Sequence, residues 1–324
     1  MNRLRSVILL ALAVLSVPPI LSLGIWSPDP LGVDAVSAVT PGYVAVVGAG
    51  STSIPGAPAI PTVEDLVRGA FYLAGGLHKA IDPTADDVLV RPGHAPMNAR
   101  ALRQHMEVVR AVVVLLHDIA PEARISLLLA GAPGSGVSAP DGLEAALRGL
   151  ADEKVLASIQ LQVLDLAREE VETIEVPDRG EVADLYPVPI VLLECDAVIN
   201  IARYHGPLSA MTNLEGLALI PGGEVSDDRA GRLVDLALLT EVQYTVLDLL
   251  GRDHPRSPVV LASPDGIAVD RLAVALAGIQ GAPAALTRAG ERRLGMSNLA
   301  SIKVGGLDVP GTWVPDSEGD ATTE

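Results

Sequence analysis

The stretch Val259-Val260-Leu261-Ala262-Ser263-Pro264-Asp265-Gly266-Ile267-Ala268-Val269-Asp270 passes from an unbroken aliphatic run, through a tight turn, into a helical pattern that continues to Ala277. A run of this kind suits a strand buried on both faces, as in a parallel or mixed sheet. Asp265 stands where a side chain caps the following helix, and Asp270 falls in its first turn, where the helix dipole favours a carboxylate. Capping accounts fully for Asp265. Asp270 lies in apolar text, which points to a ligand or to a buried hydrogen-bond role.

The same alternation extends outward along the chain. Candidate strands are Tyr43–Val47, Val88–Val90, Ile125–Leu129, Val191–Leu193, Ala197–Ile201, Tyr244–Leu247, Val259–Ala262 and Ile302–Val304. Helical patterns lie between them: Thr62 to Ala74, Ala99–His117, Gly142–Leu150, Asp228–Leu239, Ile267–Ala277 and Pro283–Arg293. Thr62-Val63-Glu64-Asp65 has the shape of a capping box, and Gly75-Gly76 ends the helix it opens. Residues 159–176 read as a strand, a charged link and a further strand. The class is α/β, with a mostly parallel or mixed central sheet flanked by helices and room for two lobes.

Composition narrows the function. With 23 Lys+Arg against 40 Asp+Glu, the formal net charge is −17. Nucleic acid and anionic lipid both select a basic footprint, so neither is expected as the main partner. Aromatic residues make up 2%, too few for base-stacking platforms. The single cysteine, Cys195, excludes an internal disulfide and any cysteine-based zinc or iron–sulfur site. Its neighbours Glu194 and Asp196 oppose a thiolate, so it reads as a small core residue.

Residues 1–40 read as an export signal or membrane anchor followed by a linker. Arg3 and Arg5 precede an apolar stretch from Val7 to Trp26, interrupted by Pro18 and Pro19. The positive-inside rule places the body outside the cytoplasm, so contact with a membrane is expected only through this segment. Residues 311–324 read as an acidic disordered tail.

Glycine runs give weaker signals. Gly48-Ala49-Gly50 follows a strand as in a dinucleotide fingerprint, but Ser53 replaces the third glycine and Pro55, Pro58 and Pro61 exclude the immediate helix. Gly131-Ala132-Pro133-Gly134-Ser135-Gly136 leaves a strand and has glycines suited to an anion nest, yet Val137 stands where a P-loop has lysine. Among six histidines, His94 and His205 follow strand ends, where α/β sites gather. His78, His105, His117 and His254 read as surface residues.

Taken in order, several of these segments resemble the domain-of-unknown-function family 362, over about residues 41–310. The matching segments are Gly75-Gly76, then Val88-Leu89-Val90 running into Arg91-Pro92-Gly93, then Gly131-Ala132-Pro133-Gly134. Asp196-Ala197-Val198-Ile199-Asn200, Arg203-Tyr204-His205 and Met211-Thr212-Asn213-Leu214-Glu215-Gly216 follow. Ser263 to Asp270, Gly278-Ile279 and Leu294-Gly295-Met296-Ser297-Asn298-Leu299 close the series. The resemblance implies an α/β fold, and the cluster-bearing members of that family imply redox work, whose iron–sulfur module this chain lacks. Where the family pattern has Lys-Pro-Asn, this chain has Arg91-Pro92-Gly93, and a further family lysine is Thr212. An arginine keeps charge but is not a tunable amine.

The resulting expectation is an exported protein binding a small anionic ligand through Arg91, Asp196, Asn200, Arg203, His205, Asn213 and Asp270, gathered in one pocket at the strand ends. Two functions compete. One is a redox-associated enzyme of unassigned reaction and cofactor; the other is a non-catalytic binding domain with a degenerate active site. The sequence assigns no metal ligands.

Overall fold

The computed structural model describes residues 42–48, 62–129, 131, 139–218, 228–250 and 259–306. The segment expected to direct export, residues 49–61, nearly all of the Gly131–Gly136 loop, His254 and the acidic tail lie outside the described residues.

Strands β1 (Tyr43–Gly48), β2 (Asp87–Arg91), β3 (Arg124–Leu129), β4 (Leu161–Asp165), β7 (Ala197–Arg203), β8 (Tyr244–Asp248), β9 (Val259–Ser263) and β10 (Lys303–Gly306) form one mixed sheet. Its order is β10-β1-β9-β8-β7-β2-β3-β4. The run from β8 to β4 is parallel, whereas β9 runs antiparallel to both β1 and β8. Strands β5 (Val171–Glu175) and β6 (Leu185–Pro189) make a separate antiparallel pair. The expected α/β class is therefore present, with the mixed form of the sheet.

The helices are α1 (Val63–Leu73), α2 (Ala99–Ile119), α3 (Leu143–Ala151), α4 (Ile190–Glu194), α5 (Ser209–Thr212), α6 (Arg229–Thr240), α7 (Gly266–Leu276) and α8 (Ala284–Glu291). Thr62 and Asp65 form the capping box of α1, and Gly75 and Gly76 take positive φ just beyond its end. One text signal failed. Val191–Leu193, expected as a strand, is the turn of helix α4, entered from Pro189. A short apolar run cannot be assigned by periodicity alone. Here Pro187 and Pro189 belong to β6, and the run that follows is only half-buried.

Side-chain alternation along the strands divides the core in two. Val88, Val90, Ile199, Ile201, Tyr244 and Val246 face one layer, packed with α1, α2 and α3. Leu89, Val198, Ala202 and Leu247 face the other, packed with α4 to α8 and the β5–β6 pair. This parity decides where each polar residue goes.

Candidate functional site

Arg91 is the last residue of β2, and it pairs in register with Asn200 in the middle of β7. Asn200 in turn pairs with Thr245, near the start of β8. All three share the parity of Leu89 and Val198, so they face the α4–α8 layer. There a continuous hydrogen-bond chain forms. Asn213 Nδ2 donates to Asn200 Oδ1 at 2.8 Å and to the Arg91 carbonyl at 3.2 Å. Asn200 Nδ2 donates to the Ala210 carbonyl at 2.9 Å. The Arg91 guanidinium donates back to the carbonyls of Asn213 at 3.2 Å and Glu215 at 3.0 Å. Burial pulls its pKa down to about 9.

Asp270 sits in the same layer, fully buried on α7. Its two oxygens accept from the backbone N–H groups of Ala210 and Met211, both at 2.8 Å. Burial pushes its carboxyl up to about 7, although those two donors act in the opposite direction. Asp270 therefore holds helix α5 against α7, the buried hydrogen-bond role that its apolar surroundings suggested. Asp265 caps α7 as expected, accepting from Ala268 N–H, and its other oxygen accepts from Gly42 and Met296 N–H.

Arg203 lies three positions beyond Asn200 and has the opposite parity. Its side chain enters the α2 layer and donates to Asp248 Oδ2 at 3.0 Å and to the carbonyls of Ala101 and Leu250. Asp248 is fully buried and also meets His105 Nδ1 at 2.9 Å. The Gly93 N–H donates to His105 Nε2 at 2.8 Å. Because that amide can only donate, Nε2 is an acceptor and the ring proton sits on Nδ1, aimed at Asp248. His105 was expected at the surface; its exposure is 0%. The partner that makes burial tolerable, Asp248, lies 143 residues away in sequence.

The expected single pocket is thus split by the sheet. Arg91, Asn200, Asn213 and Asp270 are brought together on one face, and Arg203 is on the other. His205 is exposed beside the end of β7, with Nδ1 3.1 Å from the Arg203 carbonyl and Nε2 3.3 Å from Thr212 Oγ1. Asp196 is not part of either cluster. It precedes β7, at the other end of that strand from Arg203, where its carboxylate accepts from the N–H groups of Asp86 and Asp87 at the start of β2. His94 is closer: its N–H donates to Asn213 Oδ1 at 2.9 Å.

Beside the Arg91 cluster lies a cleft of about 100 Å3 that the sequence did not reveal. Asn200, Met211, Thr245, Gly266, Ile267 and Leu294 are among its walls. Thr245 is 1% exposed, and its hydroxyl has no hydrogen-bond partner among the described residues. A β-carbon added at Gly266 would stand 2.8 Å from Thr245 Oγ1 and 3.9 Å from its methyl, so the hydroxyl is the part turned toward the start of α7. No ionisable side chain lines the cleft among the described residues. No group of three or more His, Cys, Asp or Glu residues suited to a metal ion occurs among the described residues either. A threonine in a strand and a glycine at a helix start carry no motif, so neither is legible as a site residue in the sequence.

The fold and these clusters define an α/β domain with a mixed central sheet and buried polar networks on both faces. No family model matches the chain, and no curated protein matches it. Among solved structures, it is similar to the lactate racemase apoprotein from Thermoanaerobacterium thermosaccharolyticum, with a TM-score of 0.40 and 11% identity over 61% of this chain. The match covers 52% of that protein, so the chain spans about half the length of the structure it resembles.

Proposed function

We propose that the chain is an exported α/β binding domain, of the kind the resemblance to family 362 implies, that holds a small anionic ligand without transforming it. The observation that carries this reading is the cleft at Asn200 and Thr245, whose walls offer hydrogen-bonding groups and apolar side chains but, among the described residues, no ionisable one. Catalysis by proton transfer or nucleophilic attack calls for a titratable group within reach of the substrate. The titratable groups nearby serve the fold instead: Asp270 holds α5, and Asp248 holds Arg203 and His105. Replacement of the family lysines by Arg91 and Thr212 supports the same reading, since neither is a tunable amine. Export is supported by Arg3 and Arg5 ahead of the apolar stretch.

The test is a thermal-shift screen of the full chain against acetate, butyrate, phosphate, sulfate and matched neutral compounds. A ligand that binds the native state raises the melting temperature with concentration by mass action. Stabilisation by at least one small anion, unchanged in mass after incubation, supports the proposal. Stabilisation by neutral compounds alone, or turnover of the bound anion, overturns it. A reporter fused after Pro310 and active only outside the cytoplasm supports export; cytoplasmic activity overturns it.

A further inference from the structure

We infer that the ligand of this cleft is an aliphatic monocarboxylate, its carboxylate held at the start of α7 by Thr245 and the first backbone N–H groups of that helix, its hydrocarbon tail against Met211, Leu214 and Leu294. The inference rests on the reading of the cleft as a binding site and names the class of ligand.

Three observations converge. The first is at the helix end. Helix α7 has 11 residues, and its first N–H groups have no intrahelical partner. Asp265 caps the N–H of Ala268, whereas those of Gly266 and Ile267, two residues of the cleft wall, have no partner among the described residues. The second is the hydroxyl of Thr245, a residue 1% exposed, which lies in the cleft wall, has no partner among the described residues and is turned toward Gly266. A hydroxyl on the cleft wall with no protein partner is free to donate to a ligand oxygen. Asn200 is also in the wall and, beyond the bond to Ala210, has a second Nδ2 hydrogen.

The third observation selects the charge and the shape. A phosphate carries more than one charge and is usually met by arginine or lysine. No cation lines this cleft among the described residues, and Asp270 stands one turn further along α7. A single negative charge is what two or three N–H and O–H donors can hold there. The remaining wall is Ala210, Met211, Leu214, Ala237, Val242 and Leu294, which suits methylene and methyl groups. A volume of about 100 Å3 is enough for a carboxylate and a few carbons.

The experiment measures binding of acetate, propionate, butyrate and isovalerate to the full chain by calorimetry, with phosphate and isovaleramide as controls. Affinity should rise about fourfold for each added methylene until the cleft is filled, since each buried CH2 contributes roughly 0.8 kcal/mol. The amide, with the same shape and no charge, should bind at least tenfold more weakly. Thr245→Val preserves volume and should weaken isovalerate about tenfold, with an unchanged circular dichroism spectrum. Equal binding along the series, or equal binding of acid and amide, overturns the inference. Phosphate binding without carboxylate binding overturns it too, while leaving the small-anion reading in place. No binding by any of the anions overturns both.

Discussion

Arg91 and Arg203 stand near the same end of the central sheet but on opposite faces of it. Arg91 pairs with Asn200, and Arg203 is an odd number of residues further along β7, so the two guanidinium groups diverge. One is tied to carbonyls after α5, the other to Asp248 under α2. Two cations that a linear reading places together therefore serve two different layers.

From this separation, Arg203→Ala should leave ligand binding in the Thr245 cleft unchanged and should lower stability. It removes one member of a buried ion pair and leaves the Asp248 carboxylate with only His105 and the Leu250 N–H. Breaking such a pair costs about 3–5 kcal/mol. Urea unfolding of the variant, monitored by far-UV circular dichroism, checks the stability. Ligand calorimetry on the same sample checks the independence of the two sites.

Gly93 gives a second test of that layer. A β-carbon there would stand 3.0 Å from the Arg203 backbone nitrogen and 3.1 Å from His105 Nε2. Both neighbours are buried and fixed by hydrogen bonds, so neither yields cheaply. Gly93→Ala should destabilise by about 1–3 kcal/mol, the usual range for overpacking. Gly93→Asn, a larger side chain at the same place, should cost at least as much, which the same unfolding measurement decides.

What the sequence made legible was set by local chemistry. The capping box at Thr62, the cap at Asp265 and the aliphatic strands were readable because each depends on residues a few positions apart. Arg91, Asn200, Asn213 and Asp270 lie near one another, Arg91 and Asn200 through strand register and Asn213 and Asp270 through the chain at α5. Asp196 was grouped with them only because it adjoins β7; a strand has two ends, and Asp196 is at the wrong one. His105 and Asp248 were illegible because their pairing depends on strand order and on side-chain parity across the sheet. Thr245 and Gly266 face each other because β9 runs antiparallel beside β8, and an α/β text with parallel strands does not announce that reversal.

Asp270 makes stability depend on pH in a defined direction. Its carboxyl is raised from 3.8 to about 7 in the folded protein, chiefly by burial. Between those values the folded state holds a proton that the unfolded state lacks. Stability therefore falls as pH rises through that window, and levels off above about 7. A shift of this size corresponds to about 4 kcal/mol. Asp270→Asn removes the titration, so the stability difference, variant minus wild type, should become more positive between pH 4.5 and pH 7.5. Denaturant titrations of both proteins at the two pH values measure it, and the other carboxylates cancel in the comparison.

Gly266→Ala addresses the cleft without touching either buried network. The first position of a helix accepts alanine, and φ at Gly266 is not in the left-handed region. The added methyl meets the Thr245 hydroxyl at 2.8 Å, a short side chain on a central strand with little freedom to retreat. It would obstruct the approach of the ligand carboxylate to that hydroxyl and to the start of α7. Folding stability should fall by about 1–3 kcal/mol, the usual range for overpacking, with the native spectrum retained. Isovalerate binding, by contrast, should fall by more than tenfold. Calorimetry on Gly266→Ala beside Thr245→Val separates the two contributions: the first blocks the position, the second removes a donor. If Gly266→Ala binds isovalerate as tightly as the wild type, the carboxylate is not held at this end of α7.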